Sequence, residues 1–295
     1  MPLSGNLRSI LAMLIAVAFF SGMDSILKTL AGSYPATQVA ALRGLCALPL
    51  VCLYVVWRKE TGALLKVRWR LHFLRGGISI LMLSLFTFAL RELGLAEAYT
   101  IFFIAPLLIT MLSIPMLKET VSPRHWVAIG VGMAGVLIAL RPDQDAFFSI
   151  GALAVLGAAA CYAISAIVGR VLSRTEPSTT LVFWNTGMLA LGAGLIAWPH
   201  WVAILPAHWP MLAALAVTGF VGQLAITEAF RHGQASAVAP FEYTALAWGI
   251  GLDWLLWQTV PDHSTLMGGA IIIASGLYLI RKENVVSEKT NLYPS

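Results

Sequence analysis

Two acids stand in one apolar run. The stretch "AVAPFEYTALAWGIGLDWLLW", beginning at Ala237, is long enough to cross a bilayer, yet it holds Glu242 and Asp253. A carboxylate near the bilayer centre costs roughly 2.5–3.5 kcal/mol on insertion scales, so such an acid marks a substrate, cation or proton pathway unless packing satisfies it. Steps of 100° bring Asp253 back almost to the direction of Glu242, with Ala245 and Gly249 between them and Tyr243, Leu252 and Trp254 turned elsewhere. At 1.5 Å per residue the acids are about 16 Å apart, two depths of one polar groove. Glu242 is read as a contact for a substrate amino group or the carrier of a coupling proton, with a packing hydrogen bond as the alternative. Asp253 is read as reaching the outer interface.

Other polar groups fall into the same frame. Asp24 and Arg43 come to nearly equal depth on antiparallel neighbours if the first turn centres near Ser33, and an ion pair there would lower the cost of both charges. That pair is either a structural brace or part of the pathway. Ser21, Asp24, Ser25 and Lys28 recur at spacings of three and four, a polar stripe that should face an aqueous cavity. Glu228 is placed at a depth comparable to Glu242. Two neighbouring carboxylates in low dielectric do not both ionise easily, so one should bind a proton or cation, unless Arg231 and His232 neutralise Glu228. Asn185 is a polar candidate able to meet a carboxylate or an amine. Tyr99, Phe102, Phe103, Trp184, Tyr243 and Trp248 offer faces on which a flat apolar group can pack.

Several chemistries are excluded. "GVGMAG" at 130–135 fits the GxGxxG pattern but follows no strand, and small residues there serve helix packing. No glycine is followed by lysine, so there is no phosphate-binding loop. The histidines are scattered, and Cys46, Cys52 and Cys161 lie in apolar runs without ligand spacing. No catalytic residues, cofactor or metal are expected. An intramembrane enzyme would need catalytic groups clustered at one depth, and these acids are spread.

The elements that must position these residues are membrane spans. Charged residues make up 11% of the chain and hydrophobic ones 59%, against roughly 25% charged in a soluble protein. The net charge of +5 is not gathered into a patch with interleaved aromatics, which argues against nucleic acid. Ten spans of about 20 residues can be drawn, near 7–30, 36–57, 71–90, 96–117, 123–140, 149–172, 179–198, 210–231, 235–257 and 264–280. The first lacks a cleavage site and is read as retained. Placing both termini in the cytoplasm puts fifteen Lys and Arg inside, including the cluster from Arg58 to Arg75, and only Lys28, Arg91 and Arg141 outside. Trp198, Trp201 and Trp209 read as an interfacial belt, and residues 283–295 as a polar tail.

The chain also repeats itself. "KTLAGSYPAT" from Lys28 overlays "RVLSRTEPST" from Arg170, so that Pro35 falls on Pro177 and Thr37 on Thr179. "ALR" at Ala89 matches "AFR" at Ala229, and "GVLIALR" from Gly135 matches "GLYLIRK" from Gly276. Five spans per half is an odd number, so the halves must be inverted. The expected fold is an all-α membrane protein of ten transmembrane helices in two inverted five-helix repeats, residues 1–141 and 142–282, with a site near the midplane between them.

With the repeat, "AYTIFFIAPLLITMLSIPMLKE" from Ala98 and "APFEYTALAWGIGLDWLLWQTVP" from Ala239 in view, the chain resembles the drug/metabolite transporter superfamily in its EamA-type, ten-helix form, across almost its whole length. Its length and aromatic content look most like the YddG-type aromatic amino-acid exporters, while "PFEYT" is similar to members that import S-adenosylmethionine or riboflavin. One departure is Gln258-Thr259, where a glycine–glutamate pair often closes the ninth span; the fourth span keeps Glu119. The resemblance makes the fourth, seventh and ninth spans cavity-lining helices. It implies a secondary transporter of the inner membrane exporting amino acids or related small metabolites by alternating access, with import of a nucleoside-like or vitamin metabolite as the alternative. The expected partners are the lipid bilayer and a small-molecule substrate, with the chain a monomer or homodimer.

Overall fold

Proline, glycine and serine set the helix boundaries. The computed structural model describes residues 5–93, 95–140, 149–248, 251–252, 263–264, 266–271, 273–275 and 278. The first helix, α1 (Gly5–Ala31), ends in a turn at Gly32–Ser33, and Pro35 (φ −55°, ψ 145°) starts α2 (Ala36–Trp57). Pro177 (φ −69°, ψ 154°) does the same for α8 (Ser178–Ala197), which follows α7 (Ile150–Ser173) after a short turn. A proline fixes its own φ and presents no N–H, so it stands where a helix can begin. Ser149 caps α7 by accepting a hydrogen bond from the N–H of Ala152 at 3.1 Å.

Among the described residues the protein is all helical, with seven helices long and apolar enough to cross a membrane. These are Leu7–Ala31, Ala36–Trp57, Trp69–Glu92, Ala98–Leu117, Ile150–Ser173, Ser178–His200 and Pro206–His232. They contain α3 (Trp69–Glu92), the interrupted pair α4 (Leu95–Phe102) and α5 (Ala105–Leu117), and α9 (Trp209–His232). A shorter apolar helix, α6 (Pro123–Leu140), follows α5. Large apolar side chains such as Leu53, Leu195 and Ile150 are exposed, as a lipid-facing surface requires, and Trp198 and Trp209 are exposed near the ends of their helices.

Among the described residues, two spans are broken. The fourth interrupts at Phe103 and Ile104 between α4 and α5, two residues before Pro106. The ninth, read from sequence as one continuous helix, begins as the single turn α10 (Ala235–Val238) and passes into a 3-10 segment, Ala239–Thr244, that carries Pro240 and Glu242. A proline within the run removes a helical hydrogen bond and crowds the preceding turn, so the 100° step does not apply over Ala239–Thr244, and the shared face with Asp253 falls outside the described residues. The two breaks touch: the rings of Phe103 and Tyr243 are 5.5 Å apart. Gly132 of α6 makes room for that tyrosine, because a Cβ there would lie 2.8 Å from its ring carbon Cε2. Asp253, Arg141, Gln258, Thr259 and the tail lie outside the described residues.

The most extensive packing joins α2 to α8, α1 to α9 and α3 to α7. Gly44 allows the first of these to close tightly, since a Cβ there would lie 2.7 Å from the Cα of Ala190. Polar clasps hold the ends of the bundle. At one end Gln38 donates to the Val202 carbonyl at 2.7 Å and accepts from its N–H at 2.9 Å. Beside it the Tyr34 hydroxyl lies 2.8 Å from His208 Nδ1. At the other end the buried pair His72 and Glu176 meets at 2.6 Å, Glu176 also accepts from the Arg68 N–H at 2.9 Å, and Thr179 donates to Glu60.

Candidate substrate cavity

The cavity opens among α1, α2, α3, α4, α7, α8, α9 and the 3-10 segment, and four charged side chains line it: Asp24, Arg43, Arg75 and Glu242. Asp24 projects from the polar stripe of α1, and its Oδ2 accepts a hydrogen bond from the Tyr99 hydroxyl at 2.7 Å. Ser21 lines the cavity with it, while Lys28 is exposed. Arg43 lines the cavity too, but no ion pair joins it to Asp24 among the described residues. Its guanidinium instead lies 5.5 Å from the centre of the Phe20 ring. Equal depth on neighbouring helices was sufficient to bring the two to one cavity and insufficient to pair them.

Glu242 owes its position to the break in the ninth span. It is buried, and Oε1 accepts from the Tyr162 hydroxyl of α7 at 2.9 Å. The two carboxylate–phenol pairs are joined by aromatic rings. Tyr99 stacks on Phe86 at 6.5 Å, Phe86 meets Phe102 at 5.3 Å, and Phe102 meets Tyr162 at 5.5 Å. Phe103 lines the same wall. The cavity also holds a polar patch where Ser79 donates to Asn185 Oδ1 at 2.9 Å, with the Ser165 hydroxyl 3.4 Å from that of Ser79. Such a space can hold a flat apolar group between sites for both signs of charge.

Four sequence candidates lie elsewhere. Glu228 is in an ion cluster at the end of α9, 2.8 Å from His232 and 3.6 Å from Arg8, and does not line the cavity beside Glu242. Antiparallel depth matching misplaced it because the ninth span starts with a tight turn and 3-10 backbone. Arg231 does not neutralise it, donating instead to the Ser178 hydroxyl at 2.9 Å. Trp184 follows the helical geometry: with neighbouring Asn185 facing the cavity, it turns away and donates from Nε1 to the Leu64 carbonyl at 2.9 Å. Tyr243 packs behind the wall against Phe103 and Gly132. Trp248 is 47% exposed and outside the cavity lining.

Tyr162 and Arg75 join Phe86, Ser79 and Ser165 among the lining residues that the sequence reading does not single out. Tyr162 gives no signal in a sequence where aromatics are common. Arg75 was counted with the cytoplasmic cluster, yet it is buried within α3. Its signal was its place six residues into the span, about 9 Å from the helix start.

The sequence profile of the EamA-like transporter family matches residues 7–141 and, a second time, residues 149–281. The chain belongs to the EamA-like transporter family. It is 27% identical over 277 residues to the pseudopaline exporter CntI of Pseudomonas aeruginosa, covering 92% of this chain and 95% of that one. The riboflavin transporter of Vibrio cholerae is 26% identical over 289 residues, 96% of each chain. An S-adenosylmethionine uptake transporter of Rickettsia conorii is 25% identical over 270 residues, 92% of this chain and 91% of the relative. A solved crystal structure shares the fold with a TM-score of 0.77 at 18% identity, covering 92% of this chain and 96% of the other. This EamA-family protein is therefore a multi-pass membrane transporter and not an enzyme. These relatives are named for pseudopaline, riboflavin and S-adenosylmethionine, so the expected kinship to aromatic amino-acid exporters in particular is not what they display.

Proposed function

We propose that the protein is a secondary transporter of the inner membrane that exports small metabolites bearing an amino-acid group, by alternating access between two inverted five-helix repeats, residues 1–141 and 142–282. The observation that carries this reading is the cavity itself, which brings two acids and two arginines around a wall of aromatic rings. Amino acids with a flat apolar side chain match those three features at once. The double match of the family profile supports the repeat. So does the helix pairing: exchanging the two halves turns α1 on α9 into α7 on α3 and leaves α2 on α8 unchanged. Broken helices at corresponding positions of two halves point to a midplane binding site, and both breaks here reach the cavity.

Export is the proposed direction on the likeness to the pseudopaline exporter. Import of an S-adenosylmethionine-like or riboflavin-like molecule is the second reading, favoured by the likeness to carriers of those two molecules. Purified protein reconstituted in vesicles and offered radiolabelled phenylalanine, methionine, S-adenosylmethionine or riboflavin tests both. The expected result is counterflow of phenylalanine or methionine, competed by its unlabelled form. Flux of S-adenosylmethionine or riboflavin alone would favour the second reading, and absence of flux for all four would overturn the proposal.

A further inference from the structure

Arg75 stands in the cavity wall with no ion-pair partner among the described residues. The residue is 6% exposed, and Nε and Nη1 are buried without a hydrogen-bond partner. The cavity's other charges are engaged: Asp24 by Tyr99, Glu242 by Tyr162, and Arg43 over the Phe20 ring. A buried charge without a counter-charge is strongly destabilising, and a guanidinium stays charged. Folding tolerates this only where something else supplies the missing anion or where the site must remain available to one.

We propose that Arg75 binds the carboxylate of the transported molecule. The guanidinium keeps its charge and offers N–H donors that a carboxylate accepts from strongly. One turn along α3, Ser79 carries the hydrogen bond to Asn185, so neutral polar groups adjoin the charge. The cavity therefore has a receptor for an anionic end at Arg75, with Asp24 and Glu242 the acids that can meet the amino group. The assignment rests on the reading of this cavity as the transport site and adds the polarity with which a substrate lies in it.

Three probes isolate the carboxylate: phenylalanine, 3-phenylpropionate, which lacks the amino group, and phenethylamine, which lacks the carboxylate. Thermal stabilisation of the purified full chain is measured for each. Phenylalanine and 3-phenylpropionate are expected to stabilise the protein, and Arg75→Gln to weaken both by about ten- to hundredfold while leaving the response to phenethylamine where it was. A second variant guards against failure of the first to fold. In Gly169→Ala the new Cβ would lie 3.1 Å from Arg75 Nη2, which shifts the guanidinium by a few tenths of an ångström and keeps its charge. A smaller loss is expected, again confined to the two carboxylate probes. Unchanged carboxylate affinity in both variants would overturn the assignment, as would failure of every carboxylate to stabilise the unmodified protein. Carboxylate binding lost with Arg75 but no flux of any probe in vesicles would instead overturn the transport reading and leave the anion site standing.

Discussion

The cavity's acids are each held by a phenol, with one such pair in each half of the chain. Asp24 of α1 accepts from Tyr99 of α4, and Tyr162 of α7 donates to Glu242 of the ninth span, so donor and acceptor exchange places between the halves. A carboxylate held only by a neutral donor keeps capacity for a cation or proton, whereas one in a salt bridge does not. Glu242→Gln is accordingly expected to lower transport at least about tenfold, the scale of one lost charged contact, and to flatten its dependence on pH. Initial rates in vesicles across a pH series measure both, and an unchanged rate and profile would remove Glu242 from the pathway. Tyr162→Phe should cost less, because the carboxylate survives. At this scale the sequence was informative where a residue was expensive: Asp24 and Glu242 stood out as charges in apolar runs. Arg75 was hidden by its basic neighbours near the loop, and Tyr162 by the abundance of aromatics in membrane proteins.

Helix starts were legible for a local reason, since Pro35 and Pro177 restrict the chain wherever they stand. The ninth span was misread because apolarity alone does not distinguish a continuous helix from one broken at Pro240, and the position of Glu242 depends on that break. Close approach between helices was equally invisible, because which glycine meets a neighbouring backbone is decided by tertiary packing. Gly44 and Gly22 separate the two effects. A Cβ at Gly44 meets the backbone of Ala190, whereas one at Gly22 of α1 meets nothing within 4 Å. Gly44→Ala should destabilise the protein by about 1–3 kcal/mol through overpacking, since the backbone of α8 cannot swing aside as a side chain would. Gly22→Ala should be neutral or stabilising by up to about 1 kcal/mol from helix propensity. Thermal unfolding in detergent of the two variants decides it; equal effects would mean that the α2–α8 contact is slack.

At the scale of the molecule, both ends of the bundle are clasped across the two halves, by Gln38 with Val202 at one and by His72, Arg68 and Glu176 at the other. Alternating access requires that each clasp open while the other holds, so weakening one should shift the population toward the state open at that end. Gln38→Ala removes two hydrogen bonds, about 1–3 kcal/mol, and every 1.4 kcal/mol is a tenfold change in population. Glu176→Ala breaks the opposite clasp, whose flanking loop carries Arg58, Lys59, Lys66 and Arg68 and is expected to face the cytoplasm. A single cysteine in the cavity reports the outcome: Ser165→Cys, with Cys46, Cys52 and Cys161 replaced, labelled by an impermeant maleimide from either side of oriented vesicles. Gln38→Ala should speed labelling from outside by about tenfold and slow it from inside, and Glu176→Ala should do the reverse. Opposite changes at the two faces are the signature of a population exchanged between two states. If either variant speeds labelling from both sides together, the clasps only hold the bundle shut, and the two halves do not rock about the cavity between them.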